Sequence, residues 1–530
     1  MRLMNISIRG NGWLGLIAAL FFSLAISCGP DSATAPTPQA QTPPADVPYS
    51  LELAGFSIDG LPGLHSSVYA GDEHQLIILA GRTNGMHGFP TVRTTGSAPS
   101  FPADARNHKV YLVDLANKKL LGSVSVDGLP QKIANQLTSS NAEFALSNGW
   151  LYIVGGYGLV NKQNASNPGL TPIYTIPTAM AIDFGALVSA VKSGKPLDAS
   201  FAAANIATFD DPNLQITGGA LKVFNNKMLL ILGHTMNGLY TAGGGTMTQT
   251  YSSSVRVWEM SATRAGTSVK LTATMNAMVP NHPYGVDPSL DPYHRRDLPV
   301  EGAIDAAGNE RIVAYGGVFV AGRFDGFVNP VYIDAAAAPA FVNLSVDKTA
   351  TQLLSQYECA VIPAYSAKAK AMYSTFFGGI SQYYWKDGAL HHDPANLNIN
   401  PPIDGLPFIN SVSTLKNNYS SGTPATNQYL HLQQSFPPSP AQAPQCAGKP
   451  AQYLGAETRF IRAGAVPHYS NEVLKLDNIS GPGVIGYLVG GMTADTMYAP
   501  ANSCASNMIY TVSLDPSKPT ATKLLVAPAP

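Results

Sequence analysis

Short apolar runs that end in glycine return six times along the chain. Each has about four apolar residues followed by one or two glycines, and the copies are residues 77–82, 151–156, 229–234, 312–317, 374–379 and 486–491. An apolar run stopped by a residue that can adopt positive φ is typical of a fully buried strand ending in a tight turn. Arg82 and His234 replace the second glycine in two copies. The pattern predicts six sheets.

Two further patterns accompany the glycine-ended runs. Alternating apolar residues that close on an acidic residue occur at residues 110–114, 180–183, 255–259, 331–334 and 510–515. Fainter runs rich in small residues occur at 141–146, 217–221, 300–304, 357–361 and 455–459. Together they predict four-stranded units, the first with strands at 65–70, 75–81, 109–115 and 120–126. One helix is predicted at 184–192, as an insertion between strands.

The N-terminal segment differs from the rest of the chain. Arg2 and Arg9 precede an apolar stretch at residues 13–26, which is the pattern of a signal peptide at residues 1–27. Residues 24–28 resemble a bacterial lipobox, which implies a lipidated Cys28, while ordinary cleavage after Ser27 stays open. Residues 28–48 are rich in Pro, Ala and Thr, and predict a disordered linker before a body at 49–530.

Composition agrees with an all-β body. The 530 residues include 49 Gly, 41 Pro and 24 Tyr, and only 12% are charged. A net charge of −1 leaves no basic surface for nucleic acid.

The three repeated strand patterns resemble the kelch-type β-propeller. Segments 215–219, 293–297, 376–384 and 467–469 also resemble a family of secreted or lipid-anchored bacterial propellers that has no established activity. The resemblance implies six blades around a channel, with long inter-strand insertions. It also implies that a strand from one chain end completes the last blade, and both 50–58 and 523–527 are candidates.

The loops after the glycine turns are expected to converge on one rim and to form a ligand site. Aromatic faces and guanidinium groups suit sugars and carboxylates, although solvated loops and arginines that brace neighbouring blades would give the same pattern. The candidate residues are Arg82, Asn84, His87, Tyr157, His234, Asn237, His294, Arg295, Arg296, Asp297, Gln382, Tyr383 and Tyr384.

Four glutamates occupy similar places on the predicted inner strands, namely Glu143, Glu301, Glu358 and Glu457. Facing carboxylates in a channel would shift one another's pKa and could act as acid or base. Hydrogen bonding to amides of the next blade is the simpler alternative. If the protein is an enzyme, Glu301 with Arg295 and Arg296 is the candidate catalytic set.

No metal or cofactor is expected. The eleven histidines are scattered, and the chain lacks the spacings of zinc motifs. A copper-radical site is disfavoured, because Cys359 stands in a buried-looking strand. An oxidising compartment favours a disulfide between Cys446 and Cys504.

The sequence therefore predicts a bacterial cell-envelope lipoprotein, on the outer membrane, whose propeller is a binding or scaffold module for a glycan or a protein partner. The alternative is a carbohydrate-active envelope enzyme that resembles the kelch-type sialic acid epimerases. A subunit of a larger surface assembly is a third possibility.

Overall fold

The computed structural model describes residues 47–86, 101–159, 173–238, 247–280, 291–323, 325–335, 342–395, 405–420, 426–437, 452–498 and 503–527. The predicted signal peptide, Cys28, most of the linker, His87 and Cys446 lie outside these residues. The described part is predominantly β, as predicted, and consists of many small antiparallel sheets.

Six of the sheets contain a glycine-ended strand among four consecutively paired strands, and we number these sheets by the position of that strand. Sheet 1 contains Val68–Ala70, Leu76–Leu79, Lys109–Asp114 and Lys119–Ser125. Sheet 2 contains Glu143–Ser147, Trp150–Val154, Thr178–Asp183 and Ile206–Asp210. Sheet 3 contains Ala220–Phe224, Lys227–Ile231, Val255–Ala265 and Ser268–Val279. The predicted second and third strands are confirmed in all three.

The remaining three sheets follow the same order. Sheet 4 contains Val300–Ile304, Glu310–Ala314, Val331–Ala335 and Val342–Val346. Sheet 5 contains Ala360–Ser366, Ala371–Ile380, Phe408–Asn418 and Thr426–Ser435, with Leu474–Lys475 and Lys523–Leu524 at its edges. Sheet 6 contains Arg459–Arg462, Gly483–Val489, Ile509–Asp515 and Ser50–Phe56.

The last strand of sheet 6 comes from the N-terminal end of the body. Ser50–Phe56 pairs antiparallel with Ile509–Asp515 over seven residues, from Ser50 opposite Asp515 to Phe56 opposite Ile509. The other predicted candidate, near residue 523, pairs instead with the fourth strand of sheet 5. Of the two chain ends, the N-terminal one therefore completes the sixth sheet.

Apolar residues on the glycine-ended strands are buried on both faces because each sheet packs between two others. Leu151 and Ile153 pack against sheet 1, whereas Tyr152 and Val154 pack against sheet 3. Six buried clusters follow this rule, one between each pair of consecutive sheets and one between sheets 6 and 1. Two-sided burial explains why these runs do not alternate with polar residues.

A series of backbone hydrogen bonds links the segments that precede the first strands. Each donor is the N–H of a residue two or three positions before its sheet, and the acceptor is the carbonyl of the equivalent residue in the preceding sheet. The bonds are Asn141 to Ser66, Gly218 to Asn141, Asp297 to Gly218, Glu358 to Asp297 and Glu457 to Glu358, at 2.6–3.3 Å. These six residues therefore lie side by side, although the sequence separates them widely.

The glycine turns are sterically required. Gly155 has φ of +67°, and a Cβ there would lie 2.0 Å from the carbonyl oxygen of Ile216 in the next sheet. Only glycine allows both the left-handed conformation and this close approach.

Helices are few among the described residues. The predicted helix is confirmed as Phe184–Ser193; Asp183 caps its first turn by accepting from the Ala186 N–H, and Gly194 ends it at φ +66°. The helices Gln131–Leu137 and Ala199–Asn205 were not predicted. The short 3-10 turns are Ala103–Ala105, Pro212–Leu214 and Leu476–Asn478.

Smaller sheets lie beyond the glycine turns. One contains Tyr157–Leu159, Ile173–Thr175, His234–Asn237 and Thr248–Tyr251, and a second contains Tyr453–Ala456, Met492–Ala494 and Ser503–Ala505. The third is the hairpin Tyr384–Lys386 with Ala389–His391.

Candidate functional site

The residue after each of four glycine turns forms a short antiparallel bridge with the segment that precedes the first strand of the same sheet. We call this preceding segment the entry segment. His65 pairs with Arg82, Ser140 with Tyr157, Thr217 with His234, and Arg296 with Val318. In the first pair, the His65 N–H donates to the Arg82 carbonyl at 3.1 Å, and the Arg82 N–H donates to the His65 carbonyl at 3.0 Å. Because the entry segments are linked side by side, these bridges gather polar side chains from different sheets.

The gathered residues line a cavity of about 50 Å³, which we call the narrow cavity. Five of the predicted rim residues line it: Arg82, Tyr157, His234, Arg296 and Asp297. Additional residues that sequence reasoning did not assign to this site complete the wall; they include His65, Ser66, Asn141, Thr217, Tyr357 and Glu457. The structure therefore brings together part of the predicted site.

Arg82 is the arginine of this cavity that forms no ion pair with a carboxylate in the part of the chain that the structure describes. Its side chain is 2% exposed, donates to Asn84 Oδ1 at 3.0 Å and to the Pro102 carbonyl at 3.3 Å, and stacks 4.7 Å from the Phe101 ring centroid. Among the described residues, no ion pair to Arg82 occurs within 4.0 Å. Burial lowers the pKa of Arg82 to about 10, so the guanidinium remains charged at neutral pH.

The second guanidinium of the narrow cavity is already engaged. Arg296 donates from Nε to Asp297 Oδ2 at 3.0 Å and from Nη1 to the Tyr251 hydroxyl at 2.7 Å. Burial raises the pKa of Asp297 to about 6, against the lowering effect of Arg296. The His294 ring stacks on the Tyr251 ring with centroids 3.6 Å apart, and so helps to position the hydroxyl that accepts from Arg296.

A buried network joins sheets 1, 5 and 6 at the same cavity. The Glu457 carboxylate accepts hydrogen bonds from the Ser66 hydroxyl at 2.6 Å, the Tyr357 hydroxyl at 2.9 Å and His65 Nδ1 at 3.1 Å. Burial alone would raise the pKa of Glu457, but His65 and the two hydroxyl donors outweigh it and hold the pKa at about 2. Glu457 is therefore a carboxylate at all physiological pH values.

Several predicted rim residues serve the fold. Arg295 is 1% exposed and donates to the carbonyls of Pro292 and Gly316, at 2.6 and 2.8 Å, while its guanidinium lies over Phe327. Gln382 accepts from the Gly326 N–H at 2.9 Å. Both side chains brace neighbouring loops.

Four other predicted residues contact side chains outside the lining of the narrow cavity or at its edge. Asn84 accepts from Arg82, and Asn237 contacts Gln215 at 3.4 Å. The ring of Tyr383 lies 5.1 Å from that of His392, and the Tyr384 hydroxyl donates to Asp393 at 3.0 Å. None of these four side chains lines the narrow cavity.

A second and larger cavity, of about 400 Å³, lies among the first strands of all six sheets. We call it the wide cavity, and its polar lining includes Glu143, Lys222, Glu301 and Arg459. Lys222 Nζ is 3.2 Å from Glu301 Oε2, and the Arg459 guanidinium stacks 5.6 Å from the Phe144 ring. Its volume is in the range of small-molecule pockets.

The four glutamates are not equivalent, which corrects the sequence expectation. Glu358 and Glu457 belong to the hydrogen-bonded series of entry residues, whereas Glu143 and Glu301 lie further along their strands and line the wide cavity. Glu301 does not share a cavity with Arg296, so the candidate set of Glu301, Arg295 and Arg296 is not assembled at one site. The predicted neighbours separate because Glu301 lies within its strand and Arg296 before it.

Glu143 hydrogen-bonds a backbone amide, as the simpler of the two sequence interpretations expected. Its Oε1 accepts from the N–H of Gly219, which directly precedes sheet 3, at 2.7 Å. Burial, with the nearby Glu358 carboxylate, raises the pKa of Glu143 to about 8. Glu358 is paired with Arg459. A space of about 10 Å³ lies among Glu143, Glu358, Glu457 and Arg459.

Arg459 and His65 line the cavities and were not predicted as site residues. Arg459 closes one of the predicted small-residue strands, and a charged residue in such a strand was the available signal. For His65 no signal existed, because its partner Glu457 is 392 positions away.

Within the described ranges, no group of three or more His, Cys, Asp or Glu side chains is arranged to hold a metal ion. In the same ranges, no helix has the length and apolarity needed to cross a membrane.

Cys359 is a buried free thiol, and burial raises its pKa to about 12. Cys504 is disulfide-bonded, and its predicted partner Cys446 lies outside the described residues. The pairing with Cys446 stays a prediction.

No family model matches this sequence. No curated protein matches it either. The solved structure of YjhT aligns with 87% of this chain and 98% of its own, at 11% identity and a TM-score of 0.37. At this level of similarity the alignment assigns no function.

Proposed function

We propose that this protein is a bacterial envelope lipoprotein whose body is a six-bladed kelch-like β-propeller, and that the propeller binds a polar ligand bearing a carboxylate at the narrow cavity. The cavity of about 50 Å³ has room for the carboxylate end of a ligand, and an acidic sugar of an envelope glycan is the ligand class that we propose. The observation that carries the proposal is a buried Arg82 guanidinium that forms no ion pair with any described carboxylate, in a cavity lined by residues from several sheets.

Three observations support the propeller. Six four-stranded sheets follow one another in chain order, and a buried cluster lies between each consecutive pair, including sheets 6 and 1. The N-terminal strand pairs with Ile509–Asp515. A propeller protects its sheet edges in this manner.

The chemistry of Arg82 supports an anionic ligand. A guanidinium presents donors in a fork that matches a carboxylate, and a charge-assisted hydrogen bond in a buried site is worth about 1.5–3 kcal/mol. Phe101 over the same guanidinium and Tyr157 in the same wall offer apolar faces of the kind that sugar rings contact. Asp297 and Glu457 form no ion pair with Arg82 among the described residues, since each accepts from its own donors, and Glu457 and Asp104 act on the guanidinium only through longer-range charge attraction.

The envelope location rests on the N-terminal sequence, with lipidation of Cys28 as its specific claim. Metabolic labelling with palmitate should place lipid on the wild-type chain and not on the Cys28→Ser variant. Labelling that persists in Cys28→Ser would refute the lipoprotein proposal without affecting the binding proposal.

The binding proposal is tested by a thermal-shift screen of acidic sugars, neutral sugars and small carboxylates. We expect acidic ligands to stabilise the protein and neutral analogues of the same size to stabilise it less. Arg82→Gln should abolish the difference, whereas Arg264→Gln, which removes an exposed arginine paired with Asp183, should preserve it. Equal stabilisation by acidic and neutral ligands would refute the proposal, and silence across the screen would favour a protein partner.

A further inference from the structure

His65 has the geometry of an oriented acid–base group. It lines the narrow cavity with its side chain 5% exposed, and its Nδ1 atom lies 3.1 Å from Glu457 Oε2 and 2.9 Å from the Ser66 hydroxyl oxygen. The other ring nitrogen, Nε2, is buried and has no hydrogen-bond partner among the described residues.

The network decides which ring nitrogen carries the proton. Glu457 is a carboxylate and only accepts, and the Ser66 hydroxyl donates its own proton to Glu457 at 2.6 Å. Nδ1 faces two acceptors, so it carries a hydrogen, and in the neutral form of the ring Nε2 is the nitrogen without one. Nε2 then carries a lone pair, which is the arrangement that a carboxylate imposes on a histidine acting as a general base.

Leaving Nε2 without a partner is unfavourable for folding. A buried polar atom that loses its hydrogen bond to water costs about 1–3 kcal/mol. The same histidine is fixed by two sheets, since its backbone pairs with Arg82 and its side chain with Glu457. Buried, fixed and unpartnered atoms of this kind concentrate at sites that receive a ligand.

We propose that the narrow cavity is a site of proton transfer, in which His65 Nε2 exchanges a proton with a bound small carboxylate and Glu457 positions the ring. This inference rests on the proposed function, since the bound ligand is the carboxylate held by Arg82. The step is the exchange of one proton, for which no co-reactant is needed.

The proton balance of such a step is complete within the site. Nε2 takes a proton from an O–H or C–H bond of the ligand, an N–H bond forms, and the electron pair stays on the ligand as an alkoxide or enolate. The imidazolium is stabilised by Glu457, and return of the proton to the ligand restores the neutral ring. The other titratable or charged groups that line the cavity are Arg82, Arg296, Asp297, Tyr157, His234 and Tyr357.

Alkylation with bromoacetate tests this inference without knowledge of the natural ligand. The reagent carries a carboxylate for Arg82 and a carbon at which the Nε2 lone pair displaces bromide; bromoacetamide is its neutral counterpart. We expect His65 to react at least about tenfold faster with bromoacetate, a difference of about 1.4 kcal/mol, and only at Nε2. His108, an exposed histidine whose Nδ1 lies 2.7 Å from Asp127, is the internal control and should react with both reagents at similar rates.

Two variants test the roles of Arg82 and Glu457 separately. Arg82→Gln should remove the preference for bromoacetate and leave the reaction with bromoacetamide at Nε2 unchanged. Glu457→Gln should allow product at Nδ1 as well, because the ring is no longer held in one tautomer; a purely structural glutamate would not change the ratio of the two carboxymethylhistidine isomers.

The outcomes distinguish this inference from the proposed function. Equal rates with the two reagents, both at Nε2, would refute carboxylate binding and with it the substrate class. Stabilisation of the protein by acidic ligands, together with an unreactive His65 or product at Nδ1, would refute proton transfer alone.

Discussion

Replacement of Tyr49 tests the contribution of the N-terminal segment to sheet 6. Tyr49 directly precedes the strand Ser50–Phe56 and is 2% exposed. Its hydroxyl lies 3.1 Å from the Thr375 hydroxyl of sheet 5, and its ring packs edge-to-face on Tyr373 with centroids 5.9 Å apart. It therefore fixes the incoming chain to the sheet next to the one it completes.

The structure predicts different losses for two substitutions. Tyr49→Ala removes a fully buried ring from the cluster between sheets 5 and 6, for which about 3–5 kcal/mol is expected. Tyr49→Phe removes only the hydroxyl, and Thr375 keeps its 2.8 Å contact with Thr414, so about 0.5–1.5 kcal/mol is expected.

Urea denaturation followed by tryptophan fluorescence measures both losses, since Trp258 is buried in the core between sheets 2 and 3. Tyr49→Ala should lower the midpoint much more than Tyr49→Phe. If the free energy of unfolding of Tyr49→Ala equals that of the wild type, the N-terminal segment does not hold the sixth sheet as described.

The remaining predictions concern the glycine turns, the buried acid and the buried arginine. Gly155→Ala should destabilise the protein by several kcal/mol, whereas Gly149→Ala, which has φ +79° but open space around its Cβ, should cost about 1–2 kcal/mol; equal losses by thermal denaturation would contradict the steric argument. Because the pKa of Glu143 is raised to about 8 in the folded protein, its contribution is fully present below the unfolded pKa and is lost as pH rises through 8. Glu143→Gln should therefore flatten the fall in urea stability between about pH 5 and 8, and an unchanged slope would contradict that assignment. Arg295→Met should lower stability by about 3–5 kcal/mol and leave the affinity for acidic ligands unchanged in the folded fraction, measured by calorimetry; intact stability with lost affinity would return Arg295 to the ligand site. Cys359 should react with a thiol reagent only after unfolding, and fast reaction of the native protein would contradict its burial.

The sequence predicted the second and third strands well for a physical reason. Each lies between two neighbouring sheets, so both faces are apolar, and the glycine or acid that ends the run is imposed by the turn. Leu151 to Val154 shows both effects. The first strands were predicted less precisely: the run at 141–146 begins as a strand only at Glu143, because Asn141 has φ +49° and its backbone links sheets 1 and 3.

The candidate site was predicted in part because local sequence does not record long-range pairing. The turns placed Arg82, Tyr157 and His234 on one side, and the bridges confirm that they converge. Arg295 and Arg296 could not be told apart, since neighbouring residues in an extended segment point to opposite sides. The pairing of His65 with Glu457 depends on the meeting of sheets 1 and 6, which no periodicity reveals.

The most direct test of the account is a calorimetric titration of the wild-type protein and Arg82→Gln with the acidic sugar that stabilises the wild type most. We predict that Kd rises by at least about tenfold in Arg82→Gln, which corresponds to about 1.4 kcal/mol, while Arg264→Gln binds like the wild type. Equal Kd values for the wild type and Arg82→Gln, with both proteins folded, would contradict the assignment of the narrow cavity as the ligand site.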